Sequence, residues 1–114
     1  MSKLKIGVIG AGGRGVIAAQ AHHPGEGSRI VACCDIATSD YRELSARDMD
    51  AVFVCAPDFL HEEMAVAALQ SGLSVYQEKP MAITTQGCDG ILEVARLANA
   101  RIFVGHNMRY MAFF

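Results

Sequence analysis

The chain has no tryptophan, three tyrosines, five phenylalanines and three prolines among 114 residues. Its core must therefore rest on aliphatic side chains. It also lacks an excess of either charge: ten Lys and Arg stand against twelve Asp and Glu, a net charge of −2, and no basic cluster occurs. Without a basic patch there is no electrostatic footprint for nucleic acid or an anionic membrane surface. The apolar stretches are strand-sized and interrupted, too short to span a bilayer. Met-Ser-Lys-Leu-Lys leads directly into a predicted strand rather than into a signal-peptide apolar region, so a cytoplasmic address is expected. None of the four cysteines, Cys33, Cys34, Cys55 and Cys88, forms a C-x-x-C pair, and three lie in predicted buried strands. They read as small core residues of a reducing compartment. His22 and His23 lack the i, i+4 spacing of a helical metal pair, and no metal is expected.

What the chain does have is a regular alternation of strand-like and helix-like segments. The apolar run Leu4 to Ile9 is followed by a glycine turn, a helix-like stretch Val16 to His22, and a second run Ile30 to Cys34. Asp40 and Glu43 resemble a capping box for a short helix burying Tyr41, Leu44 and Met49. Ala51 to Cys55 is continuously apolar, as a parallel strand covered on both faces should be. A helix is expected from Phe59 to Ser71, with Asp58 as N-cap, Met64, Ala65, Ala68 and Leu69 inward, and Gly72 as its stop. Leu73 to Gln77 reads as a strand. Thr84 or Thr85 then caps a helix directing Ile91, Leu92, Val94, Ala95 and Leu97 inward, and Arg101 to Val104 forms the last strand. Helices returning the chain between strands imply one α/β domain, residues 1–114, with a mostly parallel sheet. In such sheets ligands bind outside the carboxyl ends of the strands.

The first of those ends carries Gly10-Ala11-Gly12-Gly13-Arg14-Gly15, followed twenty residues after Gly15 by Asp35. Gly10 permits a tight turn, Gly12 lets the backbone approach a pyrophosphate, and Gly15 lets the following helix pack closely. Amides at the helix start face phosphate charge, and a carboxylate at Asp35 suits an adenosine ribose. Strand, glycine turn, helix and acid in this order form a dinucleotide-binding signature. The plainer reading is an ordinary strand-to-helix turn.

Three later segments carry side chains suited to chemistry. Lys79 stands between Glu78 and Pro80 directly after a strand, where desolvation would let its amine exchange a proton. The alternative is a solvated lysine paired with Glu78. Pro80 biases Lys79 away from helical geometry. His61 is either a hydrogen-bonding group on the ligand side or a support for its own turn. Arg109 and His106, after the last strand, are placed to meet an anionic or hydroxylated ligand, and Arg109 reads equally as a solvated surface charge.

Taken in order, the glycine turn, Ala56-Pro57-Asp58-Phe59-Leu60-His61, Val75-Tyr76-Gln77-Glu78-Lys79-Pro80-Met81-Ala82 and Val104-Gly105-His106-Asn107-Met108-Arg109-Tyr110 resemble the amino-terminal domain of the glucose-fructose oxidoreductase, inositol dehydrogenase and rhizopine-catabolism (Gfo/Idh/MocA) family. The Glu-Lys-Pro segment is the most specific part. The resemblance implies a Rossmann-like doubly wound sheet and a nicotinamide cofactor, NAD favoured by Asp35 and NADP left open by Thr38 and Ser39. It implies that Gly10, Gly12, Gly13, Arg14 and Gly15 hold the pyrophosphate, with Asp35 and Ile36 on the adenosine side. Ala56, Pro57, His61 and Glu78 would line the nicotinamide side. Lys79 would meet both cofactor and reacting substrate oxygen as the catalytic residue, and Arg109 would lie near the substrate. The implied reaction is hydride transfer to or from a small-molecule sugar, cyclitol or related polyol.

Two departures from the family pattern stand out. Only Ala37 to Asp40 separates Ile36 from Tyr41, where members carry a further helix and strand, so one edge strand is expected to be missing. The family's second α/β domain, which carries the substrate pocket and through which a homo-oligomer is expected, is absent. Met111, Phe113 and Phe114 read as an apolar tail suited to burial against a following segment. The chain is thus expected to be a fragment that is inactive alone. A non-catalytic dinucleotide-binding module, acting as sensor or partner subunit, is the alternative from another class, and a different nucleotide ligand on the same fold is a third.

Overall fold

A computed structural model describes residues 4–10, 19–35, 43, 48–106, 109 and 112. Five strands, β1 (Leu4–Ile9), β2 (Ser28–Cys34), β3 (Ala51–Val54), β4 (Ser74–Glu78) and β5 (Ile102–Gly105), form one sheet in the order β2-β1-β3-β4-β5. Every neighbouring pair is parallel. Helix α1 (His61–Gln70) connects β3 to β4, and α2 (Thr85–Ala98) connects β4 to β5. The chain passes from the edge strand β2 across β1 to β3, so the reversal of strand order, where such sheets open a crevice, lies between β1 and β3. No strand lies beyond β2 among the described residues.

The central strands are covered on the α1 and α2 side by a continuous aliphatic core. Ile9, Val52, Val54 and Val75 from the sheet meet Met64, Ala65, Ala68 and Leu69 of α1 and Ile91 and Ala95 of α2. Full burial of a side chain such as Ile9, Leu69 or Ile91 contributes about 1.5–3 kcal/mol. The opposite face carries Phe53, Tyr76 and Phe103 side by side on β3, β4 and β5, with centroids 4.9 and 5.3 Å apart.

Helix ends follow local chemistry. The Thr84 hydroxyl accepts a 2.9 Å hydrogen bond from the Gly87 N–H and begins α2, while Asn99, at φ 52°, ends it. Gly72, at φ 82°, turns the chain out of α1.

Several expectations need correction. Asp58 does not cap α1: a 3₁₀ turn, Asp58–Leu60, leads into the helix, and neither it nor α1 has a side-chain cap. The extra turn moves Asp58 away from the first α-helical amides. Leu92 and Leu97 of α2 do not point inward but are 53% and 70% exposed. The core contact is narrow, made by Gly87, Ile91 and Ala95 at i, i+4, i+8, and those two leucines fall outside that stripe. Of the cysteines only Cys34 is buried, since alternate side chains of the edge strand β2 face outward, and Cys33 is among them. No disulfide joins the four. The expected helix before Pro24 is seen only as a 3₁₀ turn at residues 19–21, and residues 11–18 and most of the short Asp40 helix lie outside the described residues, as do Met111, Phe113 and Phe114. Met49, expected to be buried there, is in the core.

Candidate functional site

The carboxyl ends of β1, β2 and β3 converge on Gly10. Its N–H donates to the Cys34 carbonyl at 2.8 Å, and the Cys55 N–H donates to the Ile9 carbonyl at 2.9 Å. Gly10 has φ 87°, and a Cβ there would stand 2.8 Å from the carbonyl carbon and oxygen of Cys55 and 2.9 Å from the Ala56 nitrogen. Both the conformation and the space demand glycine. The glycine turn thus starts pressed against the segment that follows β3. Gly12, Gly13, Arg14, Gly15 and Ile36 lie outside the described residues. Asp35, directly after β2, is half-buried at the same end of the sheet.

Beside Gly10 a crevice of about 190 Å³ opens between the segments following β3 and β4, lined by Cys55, Ala56, Asp58, Glu78 and Lys79. Three residues expected at the site, Ala56, Glu78 and Lys79, are thus brought together there. Pro57 is exposed at the start of the 3₁₀ turn. Lys79 is exposed, so the described residues do not supply the desolvation expected of its amine. Among the described residues no ion pair joins it to Glu78, which leaves the ammonium available to a ligand. The Lys79-Pro80 peptide bond is cis. Arg109 and His106 are exposed beyond β5, and the Arg109 N–H donates to the His106 carbonyl at 3.0 Å.

From sequence, Cys55 reads only as a small core residue, Gln77 only as the end of a strand and Asp58 as a helix cap. Cys55 lies half-buried in the crevice, and its thiol is pushed up to about 11, first by burial and then by the Glu78 carboxylate. It is a neutral thiol near pH 7 rather than a nucleophile. Asp58, freed from capping, faces the crevice. Gln77 interrupts an apolar strand and is fully buried. Its Nε2 donates to the Met81 carbonyl and lies 3.5 Å from that of Pro80, while its Oε1 has no partner among the described residues. A polar residue at an inward-facing strand position was the signal available for it.

His61 departs from the ligand-side expectation. Its ring is fully buried, with Nδ1 2.7 Å from the Pro80 carbonyl and Nε2 2.7 Å from the Ala56 carbonyl. Both nitrogens are taken by backbone, so none remains for a cofactor. Of the two roles left open by the sequence, the geometry is that of support.

Among the described residues no group of three or more His, Cys, Asp and Glu side chains is placed to hold a metal, and no helix is long and apolar enough to cross a membrane. The site does fit a dinucleotide. Gly10, with no room for a Cβ, stands beside one end of the crevice, and the polar side chains of Asp58, Glu78 and Lys79, suited to hydroxyl and amide groups, line it.

Comparison with known proteins shows the family and the fold. The family model described as an oxidoreductase family with an NAD-binding Rossmann fold (Gfo/Idh/MocA) matches residues 34–106. An inositol 2-dehydrogenase of Pseudomonas savastanoi pv. phaseolicola is 33% identical over 120 residues, covering 89% of this chain and 35% of that relative. A 2,7-anhydro-N-acetylneuraminate hydratase of Mediterraneibacter gnavus is 28% identical over 124 residues, covering 96% of this chain and 33% of the relative. The crystal structure of a probable dehydrogenase from Thermotoga maritima superposes with a TM-score of 0.86 at 27% identity, over 94% of this chain and 37% of that one. The chain spans about a third of the length of the curated relatives it matches.

Proposed function

The chain belongs to the Gfo/Idh/MocA family of oxidoreductases with an NAD-binding Rossmann fold, and from that premise we propose that it is the cofactor-binding part of a longer enzyme. That enzyme moves a hydride between a nicotinamide and a carbinol or carbonyl carbon of a cyclitol, sugar or related polyol. The observation carrying this reading is the crevice: the Gly10 turn abuts the segment after β3, and Glu78 and Lys79 line the far wall.

In this reading the amides of Gly10 to Gly15 hold the pyrophosphate, and Asp35 with Ile36 bounds the adenosine ribose. A carboxylate at Asp35 would repel a 2′-phosphate, which favours NAD over NADP. Ala56, Pro57 and Glu78 stand along the nicotinamide end. The cofactor supplies the hydride chemistry when bound, and the protein supplies orientation and proton handling. Lys79 donates a hydrogen bond from its amine to the reacting oxygen. When a carbinol is oxidised it helps remove the hydroxyl proton, and when a carbonyl is reduced it returns one. Arg109 lies near the substrate. The substrate-enclosing groups, the desolvation of Lys79 and a homo-oligomeric contact belong to the remainder of the enzyme.

Fluorescence titration should show NADH binding to the wild-type chain more tightly than NADPH. In the longer enzyme, Lys79→Ala should lower kcat by about 100-fold or more, as loss of general acid–base assistance does, with the Kd for NADH changed less than about threefold. Failure of either dinucleotide to bind would defeat the proposal. Turnover and affinity falling equally would favour a binding module without catalysis.

A further inference from the structure

Beyond the last paired residues of β3 and β4, Val54 and Gln77, no backbone ladder joins the two crevice walls. One wall is residues 55–58 and the other is residues 78–81. Two fully buried side chains take over where the ladder stops. His61, the first residue of α1, reaches the Ala56 carbonyl in one wall and the Pro80 carbonyl in the other, both at 2.7 Å. Gln77, at the root of the second wall, returns its amide to the carbonyls of Met81 and Pro80. Between them they hold carbonyls on both sides of the crevice, two of these directly after Lys79.

We propose that His61 and Gln77 form a brace that sets the separation of the crevice walls and the placement of Lys79, making them positioning residues for hydride transfer. The inference rests on the functional reading above. The acceptors contacted by His61 are both carbonyls, so a ring with one N–H serves one of them and a ring with two serves both. A residue contacting the cofactor would instead present a free polar atom or an exposed ring, and His61 presents neither. Lys79 is exposed and has no ion pair of its own among the described residues, so its backbone is what fixes it. Displacing a reacting group by about 1 Å can cost about 100-fold in rate, so loss of such a brace should register in turnover.

The test uses the full polypeptide carrying this domain, with His61→Leu, His61→Asn and Gln77→Met. His61→Leu and Gln77→Met should lower kcat by about 10- to 100-fold, with the Kd for NADH within about threefold of wild type. His61→Asn, which keeps an N–H donor, should recover part of the loss. Affinity falling in step with kcat would make His61 a cofactor contact and overturn the proposal, and so would unchanged turnover. A second readout needs neither cofactor nor activity: iodoacetamide should alkylate Cys55 several-fold faster in His61→Leu and Gln77→Met than in wild type, since the walls are no longer held together. Equal rates would overturn the brace. If His61→Leu does not fold, Gln77→Met and His61→Asn decide the matter by the same two measurements. Should wild type bind no dinucleotide, the functional reading fails while the alkylation comparison still judges the brace.

Discussion

Gly10 leaves β1 with φ 87° while the Cys55 and Ala56 backbone stands where a β-carbon would go. Neither demand can be relieved by moving a flexible side chain, because the obstructing atoms are main chain. Gly10→Ala should therefore destabilise the chain by about 3 kcal/mol or more, measured by urea unfolding, and a loss below about 1 kcal/mol would show that the two segments separate easily. Cys55 offers a second test at this scale. Its thiol is raised from 9.0 to about 11 by burial and by Glu78, so the folded chain keeps the proton across that window. Stability conferred by the neutral thiol is full below pH 9 and is lost as pH rises through about 11. At pH 8 the exposed Cys33 should be alkylated well before Cys55. Glu78→Gln should move the alkylation profile of Cys55 to lower pH, and an unmoved profile would mean that the two groups do not face each other.

At the scale of elements, α2 separates what patterning reveals from what packing decides. Its start at Thr84, its end near Asn99 and the inward Ile91 and Ala95 follow from capping chemistry and a helical period. Replacing Thr84 by alanine removes the acceptor of the Gly87 N–H and should cost about 1 kcal/mol, read as a lowered thermal midpoint. No change would show that water serves that amide equally well. The outward turn of Leu92 and Leu97 was not legible, because hydrophobicity alone does not say how wide a stripe a helix will bury. A similar limit applied to α1. Asp58 has the chemistry of a cap, but the intervening 3₁₀ turn depends on how Pro57 leaves β3. His61 illustrates it further: its two partners are carbonyls 5 and 19 residues away, and sequence spacing cannot bring them to one ring.

For the whole molecule, the parallel sheet followed from strands alternating with returning helices, while the passage from β2 across β1 to β3 is seen in the fold. The crevice was foreseen at the carboxyl ends of the strands, and Ala56, Glu78 and Lys79 do line it. What it required in addition, the close approach of Gly10 to Cys55 and the His61 and Gln77 contacts, arises only when three connections are folded against one another. The central claim is that a dinucleotide lies along this end of the sheet, from Gly10 to Lys79. Titrating NAD into the isotopically labelled chain and following backbone amide chemical shifts tests it most directly. The largest changes should fall at Gly10, Asp35, Cys55, Ala56, Glu78 and Lys79, with Leu92 to Leu97 unmoved. Changes centred on the Phe53, Tyr76 and Phe103 face, or none at saturating cofactor, would contradict the account.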